Sequence, residues 1–122
     1  MLVHKSRKIF AFEKLNSMFN KKGGFTYIIS NYNRTVFYTG VSNSVRRRSL
    51  EHYKGEGGAF TEKYKCKYLV YYEEFDSILD AIKREKQIKD RPRQWKIDLI
   101  KSVNPTMKDL AEEWRKEDLL NG

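Results

Sequence analysis

Phe25-Thr26-Tyr27-Ile28-Ile29-Ser30-Asn31-Tyr32-Asn33-Arg34-Thr35-Val36-Phe37-Tyr38-Thr39-Gly40 is the stretch that decides the fold. Two runs rich in β-branched and aromatic residues, 25–29 and 35–39, flank a polar segment of turn-forming residues, 30–34. That composition predicts an antiparallel hairpin folding about Tyr32-Asn33, with Gly40 ending the second strand. Pairing about that centre sets Tyr27 opposite Tyr38 on one face. Two phenols side by side are either cross-strand aromatic packing or the beginning of a polar site.

Downstream, Ser42, Asn43 or Ser44 can cap a helix that runs through Val45 and Leu50 to about Tyr53. Gly55-Glu56-Gly57-Gly58 reads as a flexible loop, and 60–64 as one helical turn. Tyr68-Leu69-Val70-Tyr71-Tyr72-Glu73-Glu74-Phe75 is a third strand. Asp76 or Ser77 caps a helix from Ile78 to about Asp90, terminated by Arg91-Pro92. Residues 93–101 form another helix with Trp95, Leu99 and Ile100 on its apolar side. Asn104-Pro105 breaks it, and a last helix runs from about Lys108 to Leu120. Upstream, Ile9, Phe12, Leu15 and Phe19 recur at steps of three and four, an amphipathic helix pattern. Lys21-Lys22-Gly23-Gly24 then forms a hinge. The expected architecture is α+β, in the order β-β-α-β-α-α. An N-terminal basic, helical appendage occupies 1–24, the main domain 25–110, and an acidic helix and tail 111–122.

The chain has 122 residues, enough for one domain. Its 39% hydrophobic and 14% aromatic content is too rich for a disordered chain. No apolar run approaches the roughly 18 residues of a membrane span, and no leader of signal-peptide type is seen. The expectation is a cytoplasmic protein, neither membrane-embedded nor exported. Cys66 is the single cysteine, so neither an internal disulfide nor a cysteine-based zinc site can form. Lys and Arg total 25 against 16 Asp and Glu, a net charge of +9. The excess is concentrated in 1–24 and in 80–101, whereas the stretch from Lys108 onward is net acidic. A polyanion is the first partner to consider, nucleic acid above all.

Two further placements point toward chemistry. Arg48 and His52 lie four apart on a helix, about 40° from each other around its axis. They are either a solvated basic face or a compact phosphate site, with a fixed charge on Arg48 and a transferable proton on His52. Glu85 falls within about 60° of Ile78, Ala81, Ile82 and Ile88 on the next long helix. A carboxylate inside an apolar stripe is costly unless it is paired or holds a metal. Lys86 and Lys89 are the candidate pairing partners.

Taken in order, Tyr27, Tyr38-Thr39-Gly40, Arg48, Glu51-His52, Tyr71-Tyr72-Glu73-Glu74-Phe75, Glu85, Trp95-Lys96 and Asn104-Pro105 form a recognisable series. Residues 25–110 resemble the GIY-YIG nuclease superfamily, in particular its small single-domain bacterial branch, which looks like the N-terminal catalytic domain of the excision-repair nuclease UvrC. The resemblance implies a three-stranded antiparallel sheet flanked by helices. It also implies hydrolysis of DNA phosphodiesters with one divalent ion, Mg2+ or Mn2+. By position, Tyr27 stands as general base or water-positioner, Tyr38, Arg48 and His52 as phosphate ligands, and Glu85 as the metal ligand. Phe25 stands where the family's first signature has Gly. A lone metal-binding carboxylate is compatible with magnesium, which keeps several waters.

The reading is therefore a metal-dependent DNA endonuclease, a nickase or structure-selective nuclease of DNA repair or processing. A non-cleaving nucleic-acid-binding module on the same fold and an adaptor acting through residues 1–24 are the alternatives. A homodimer is left open.

Overall fold

The computed structural model describes residues 23–121. The amphipathic pattern from Ile9 to Phe19, and the appendage expected over 1–24 apart from its last two glycines, lie outside the described residues. Strands β1 (Gly24–Ser30) and β2 (Phe37–Ser42) are followed by helices α1 (Val45–Tyr53) and α2 (Ala59–Lys63). Strand β3 (Tyr68–Phe75) and helices α3 (Ile78–Lys89), α4 (Arg93–Val103) and α5 (Glu112–Asn121) complete the order. The sheet runs β2-β1-β3 with both pairings antiparallel. The architecture is thus the expected α+β arrangement, a three-stranded antiparallel sheet flanked by helices.

The central strand is covered on both faces: Thr26, Tyr27, Ile28, Ile29 and Ser30 are all buried. Alternation sends neighbouring side chains to opposite sides. Tyr27 and Ile29 pack with Val45, Cys66, Leu69 and Ala111 on one face, with Phe25 and Trp114 against them. Ile28 packs with Val70, Tyr71, Ile88, Ile100 and Met107 on the other. Thr26 satisfies its buried hydroxyl by donating to the carbonyl of Ala81 in α3, 2.7 Å away.

The hairpin register differs from the sequence expectation. Tyr27 pairs with Gly40, and Tyr38 with Ile29. Asn31 is the cause. Its side-chain oxygen accepts the backbone N–H groups of Thr35 (2.8 Å) and Val36 (3.0 Å), and Arg34 adopts φ 60°. Thr35 and Val36 are thereby consumed by the loop, and the second strand begins at Phe37. A slip of two residues preserves the face. Tyr27 and Tyr38 are diagonal rather than opposite, and still share a side of the sheet. Gly40 therefore lies inside the strand and does not end it.

Local signals set the helix starts. Ser44 caps α1 by accepting from Arg47 N (3.2 Å), and Ser77 caps α3 by accepting from Leu79 N (3.1 Å). The last helix begins at Glu112 rather than near Lys108. Met107 has φ 53°, the Asp109 carboxylate accepts from Leu69 N and Ala111 N, and Leu110 N donates to Leu69 O at 2.7 Å. Tertiary bonding to β3 holds 109–111 out of the helix. Among the described residues no helix is long and apolar enough to cross a membrane.

Candidate active site

Tyr27 is 2% exposed, and its hydroxyl lies 2.9 Å from Nε2 of His52 on α1, itself 2% exposed. The other ring nitrogen, Nδ1, is 3.2 Å from Oγ1 of buried Thr61 on α2. Thr61 donates its hydroxyl to the Gly58 carbonyl at 3.3 Å. That leaves Thr61 Oγ1 as acceptor, so Nδ1 carries the imidazole proton and Nε2 accepts from Tyr27. A closed hydrogen-bonded chain results: Tyr27, His52, Thr61, Gly58.

Two glycines make this geometry fit. A Cβ at Gly40 would sit 2.5 Å from the Tyr27 hydroxyl, so only glycine opposite Tyr27 lets the phenol lie across β2. A Cβ at Gly57 would sit 1.9 Å from His52 Nδ1. The 55–58 segment, read from sequence as a flexible loop, is the wall against which the imidazole stands.

Arg48 reaches Glu51 (2.8 Å) and the Gly57 carbonyl (2.9 Å), which orients its guanidinium beside Tyr27. Burial pushes the Tyr27 phenol up to about 12, opposed by Arg48. Burial, reinforced by the Arg48 charge, pulls His52 down to about 4. At neutral pH the pair is thus a protonated phenol donating to a neutral imidazole. Glu51 is held below the usual carboxylate range by its hydrogen bond from Arg48. Arg46, two residues before Arg48, points away to Glu117 of α5, 2.8 Å distant.

Tyr38 joins from the edge strand, its ring centroid 5.9 Å from that of His52. Helix α3 closes the remaining side. Ile78, Ala81, Ile82 and Ile88 are buried as the stripe predicts. The Glu85 side chain is 15% exposed and pairs with Lys89 at 2.8 Å through one carboxylate oxygen. The Lys89 ammonium lies over the Tyr38 ring, 5.7 Å from its centroid.

Tyr27, Tyr38, Arg48 and His52 are therefore brought together, with Glu85 and Lys89 on the flanking helix. His52, expected as a phosphate ligand, is as buried as Tyr27, and its ring nitrogens contact the Tyr27 hydroxyl and Thr61 Oγ1. Gly40 entered the sequence reading only as a strand end and a signature residue, Gly57 only as part of a loop, and Thr61 not as a site residue. The glycine-rich run was the only signal for the loop, and nothing local marked Thr61.

Among the described residues no three His, Cys, Asp or Glu side chains cluster. Of the two carboxylates near the site, Glu51 is engaged by Arg47 and Arg48, whereas Glu85 pairs with Lys89 through one oxygen and has the other free of any hydrogen bond among the described residues. That suits magnesium, a hard ion that needs one or two carboxylates and takes water and phosphate oxygens for the rest. It does not suit zinc in a closed structural site.

Residues 23–98 match the family described as the GIY-YIG catalytic domain, and the chain belongs to that family of endonucleases. A UPF0213 protein of Staphylococcus saprophyticus is 40% identical over 63 residues, spanning 52% of this chain and 77% of its own length. A UPF0213 protein of Staphylococcus aureus is 36% identical over 77 residues, 63% of this chain and 93% of its own. No solved structure matches the chain significantly.

Proposed function

We propose that the protein is a metal-dependent DNA endonuclease that hydrolyses one phosphodiester per encounter, acting as a nickase or structure-selective nuclease in DNA repair or processing. The observation that carries this reading is the 2.9 Å contact between Tyr27 and His52. A phenol at about 12 is a poor base by itself. Backed by a neutral imidazole, it can pass its proton to Nε2 as it accepts one from water, a transfer that needs the charge of the substrate phosphate beside the pair to offset the burial and the Arg48 charge that hold His52 down at about 4. The attacking hydroxide forms the new P–O bond as the P–O bond to the leaving alkoxide breaks, and the alkoxide takes a proton from solvent.

The other side chains have distinct roles. Arg48 stabilises the charge that builds on the non-bridging oxygens, a contribution of a few kcal/mol for such donors. Its ties to Glu51 and Gly57 hold it ready before substrate arrives. The Tyr38 hydroxyl adds a second phosphate donor. Thr61 fixes the His52 tautomer, so that Nε2 rather than Nδ1 receives the proton. Glu85 would hold one Mg2+ or Mn2+, which supplies Lewis-acid stabilisation of the phosphate when bound.

The test is nicking of supercoiled plasmid and of branched, single-stranded and duplex oligonucleotides, with magnesium and with EDTA. Magnesium-dependent cleavage lost in both Tyr27→Phe and Glu85→Gln is the expected result. Binding without cleavage under every condition would leave a DNA-binding module and overturn the enzyme. Cleavage retained by well-folded Glu85→Gln would remove the metal site.

A further inference from the structure

Most arginines of the described residues are already committed. Arg46 is paired with Glu117, Arg47 and Arg48 with Glu51, Arg84 with Glu73 and Arg115 with Asp109. Arg34 donates to the carbonyls of Asn31, Tyr32 and Met107. Arg91 and Arg93 differ. Both are exposed, and among the described residues neither guanidinium has a carboxylate or hydrogen-bond partner. They are nevertheless not loose. Arg93 lies 5.2 Å from the Phe37 ring centroid and Arg91 lies 5.1 Å from that of Trp95. A guanidinium stacked on a ring keeps its plane while leaving its N–H fork turned outward. Pro92, with φ −63°, sets the short elbow between α3 and α4 on which both are carried.

The position of these two arginines matters as much as their freedom. Phe37 directly precedes Tyr38 on β2, and Lys89, over the Tyr38 ring, is two residues before Arg91. Three cation–aromatic pairs thus lead from the candidate active site round the outer edge of β2 to the elbow: Lys89 on Tyr38, on the Tyr27 face; Arg93 on Phe37, which points to the opposite face; and Arg91 on Trp95, a ring that Arg84, paired with Glu73 of β3, also approaches.

We infer that this edge is the path of the substrate strand, with Arg93 and Arg91 binding the phosphates next along from the one that is hydrolysed. The inference rests on the nuclease reading and adds to it which way the nucleic acid leaves the site. Idle, pre-oriented guanidinium forks match phosphate oxygens. Their bonds go to the backbone and carry no base information, so this track positions the strand without selecting sequence.

The experiment separates the two readings. Binding of a fluorescein-labelled branched oligonucleotide is followed in EDTA by anisotropy across a salt titration, and cleavage is measured separately in magnesium. Arg91→Ala/Arg93→Ala is expected to weaken binding at least about tenfold at physiological salt. It should flatten the slope of log affinity against log salt by about 1.4 to 1.8, two phosphate contacts' worth. Single-turnover cleavage at saturating DNA should stay within about twofold of wild type. Lys54→Ala/Lys108→Ala removes the same charge elsewhere and should change the slope by less than half as much. Arg91→Lys/Arg93→Lys should restore the slope. Both sites are exposed and lose only a ring contact each, so a small drop in melting temperature with a fully folded protein at the assay temperature accompanies the alanine variant. Equal losses in the two double-alanine variants would show that only bulk charge acts, and would overturn the track while cleavage stands. Loss of binding at 91 and 93 in a protein that never cleaves would keep the track and remove the nuclease. A wild-type protein with no salt-dependent binding would remove the track outright.

Discussion

Tyr27 and Ile28 are neighbours on one strand, both buried, and face opposite ways. Ile28 enters a cluster of Val70, Ile88 and Ile100, where its contacts are many, weak and interchangeable. Tyr27 enters a layer that also buries His52 and Thr61, where the polar atoms are tied to particular partners: Tyr27 to His52, and Thr61 to both His52 and Gly58. Burial is alike on the two sides, but its consequences are not. Hydrocarbon packing tolerates a small displacement. A buried hydrogen-bonded chain loses an entire partner when one member goes. One face should therefore fail in stability, and the other in chemistry.

Four measurements can break that contrast, and the largest effect is expected at the phenol. Tyr27→Phe should lower the cleavage rate by at least about a hundredfold. It leaves His52 Nε2 without its donor, at a stability cost of about 1–3 kcal/mol. Single-turnover rates alongside a urea titration read both effects, and near-normal cleavage would refute the assignment. Ile28→Ala is the mirror experiment. It should cost about 2–5 kcal/mol in stability while activity per folded molecule is kept. A rate loss as large as that of Tyr27→Phe would erase the distinction between the faces.

Acid should act on the polar face alone. His52 takes up a proton near pH 4 in the fold and near 6.5 in the unfolded chain. Between those values the unfolded state binds more protons. The contribution of the neutral imidazole is therefore complete above pH 6.5 and drains as pH falls toward 4. It amounts to about 3 kcal/mol. Denaturant curves at pH 7, 5.5 and 4.5 should show the decline in wild type and a shallower one in His52→Gln, since Glu51 contributes in the same direction. Parallel curves for the two proteins would contradict the burial argument. The smallest effect is expected from Thr61→Val, which keeps shape and removes the Nδ1 partner. A loss of about tenfold in rate, with the acid limb of the pH profile displaced, is the expected signature. An unchanged profile would reduce Thr61 to packing.

What the sequence made legible follows from how local each signal is. Strand β3 was read with its true bounds because Tyr68, Val70, Tyr71, Tyr72 and Phe75, all of β-forming type, dominate a run that stands between a basic coil and a serine cap. Helices α1 and α3 were read because Ser44 and Ser77 cap them through bonds two or three residues long. The side of the sheet shared by Tyr27 and Tyr38 was readable from parity, which survived a register error of two. The register itself was hidden in the side-chain bonds of Asn31. The start of α5 was hidden in Asp109 and Leu110, which bond to Leu69, some forty residues earlier. Arg48 and His52 were readable as a pair on one helix face. That His52 faces Tyr27 rather than solvent depends on how α1 docks on the sheet, and that Gly57 walls the ring depends on a loop from beyond the helix. Both are tertiary facts without a local pattern.

The sheet has two outer margins, and they are managed by different means. Along β3, the 109–111 segment occupies backbone groups of Leu69, so part of that margin is already taken by the molecule's own chain. Along β2, a strand of six residues, the neighbours are Lys89 and Arg93. An unpaired strand margin is a template on which another copy can add itself, and short length and nearby cations are the usual defences. The residues that line the β2 margin thereby protect the protein against self-aggregation. Removing their charge to probe ligand contacts should also make concentrated solutions less tolerant of heat, which light scattering during a thermal ramp would register.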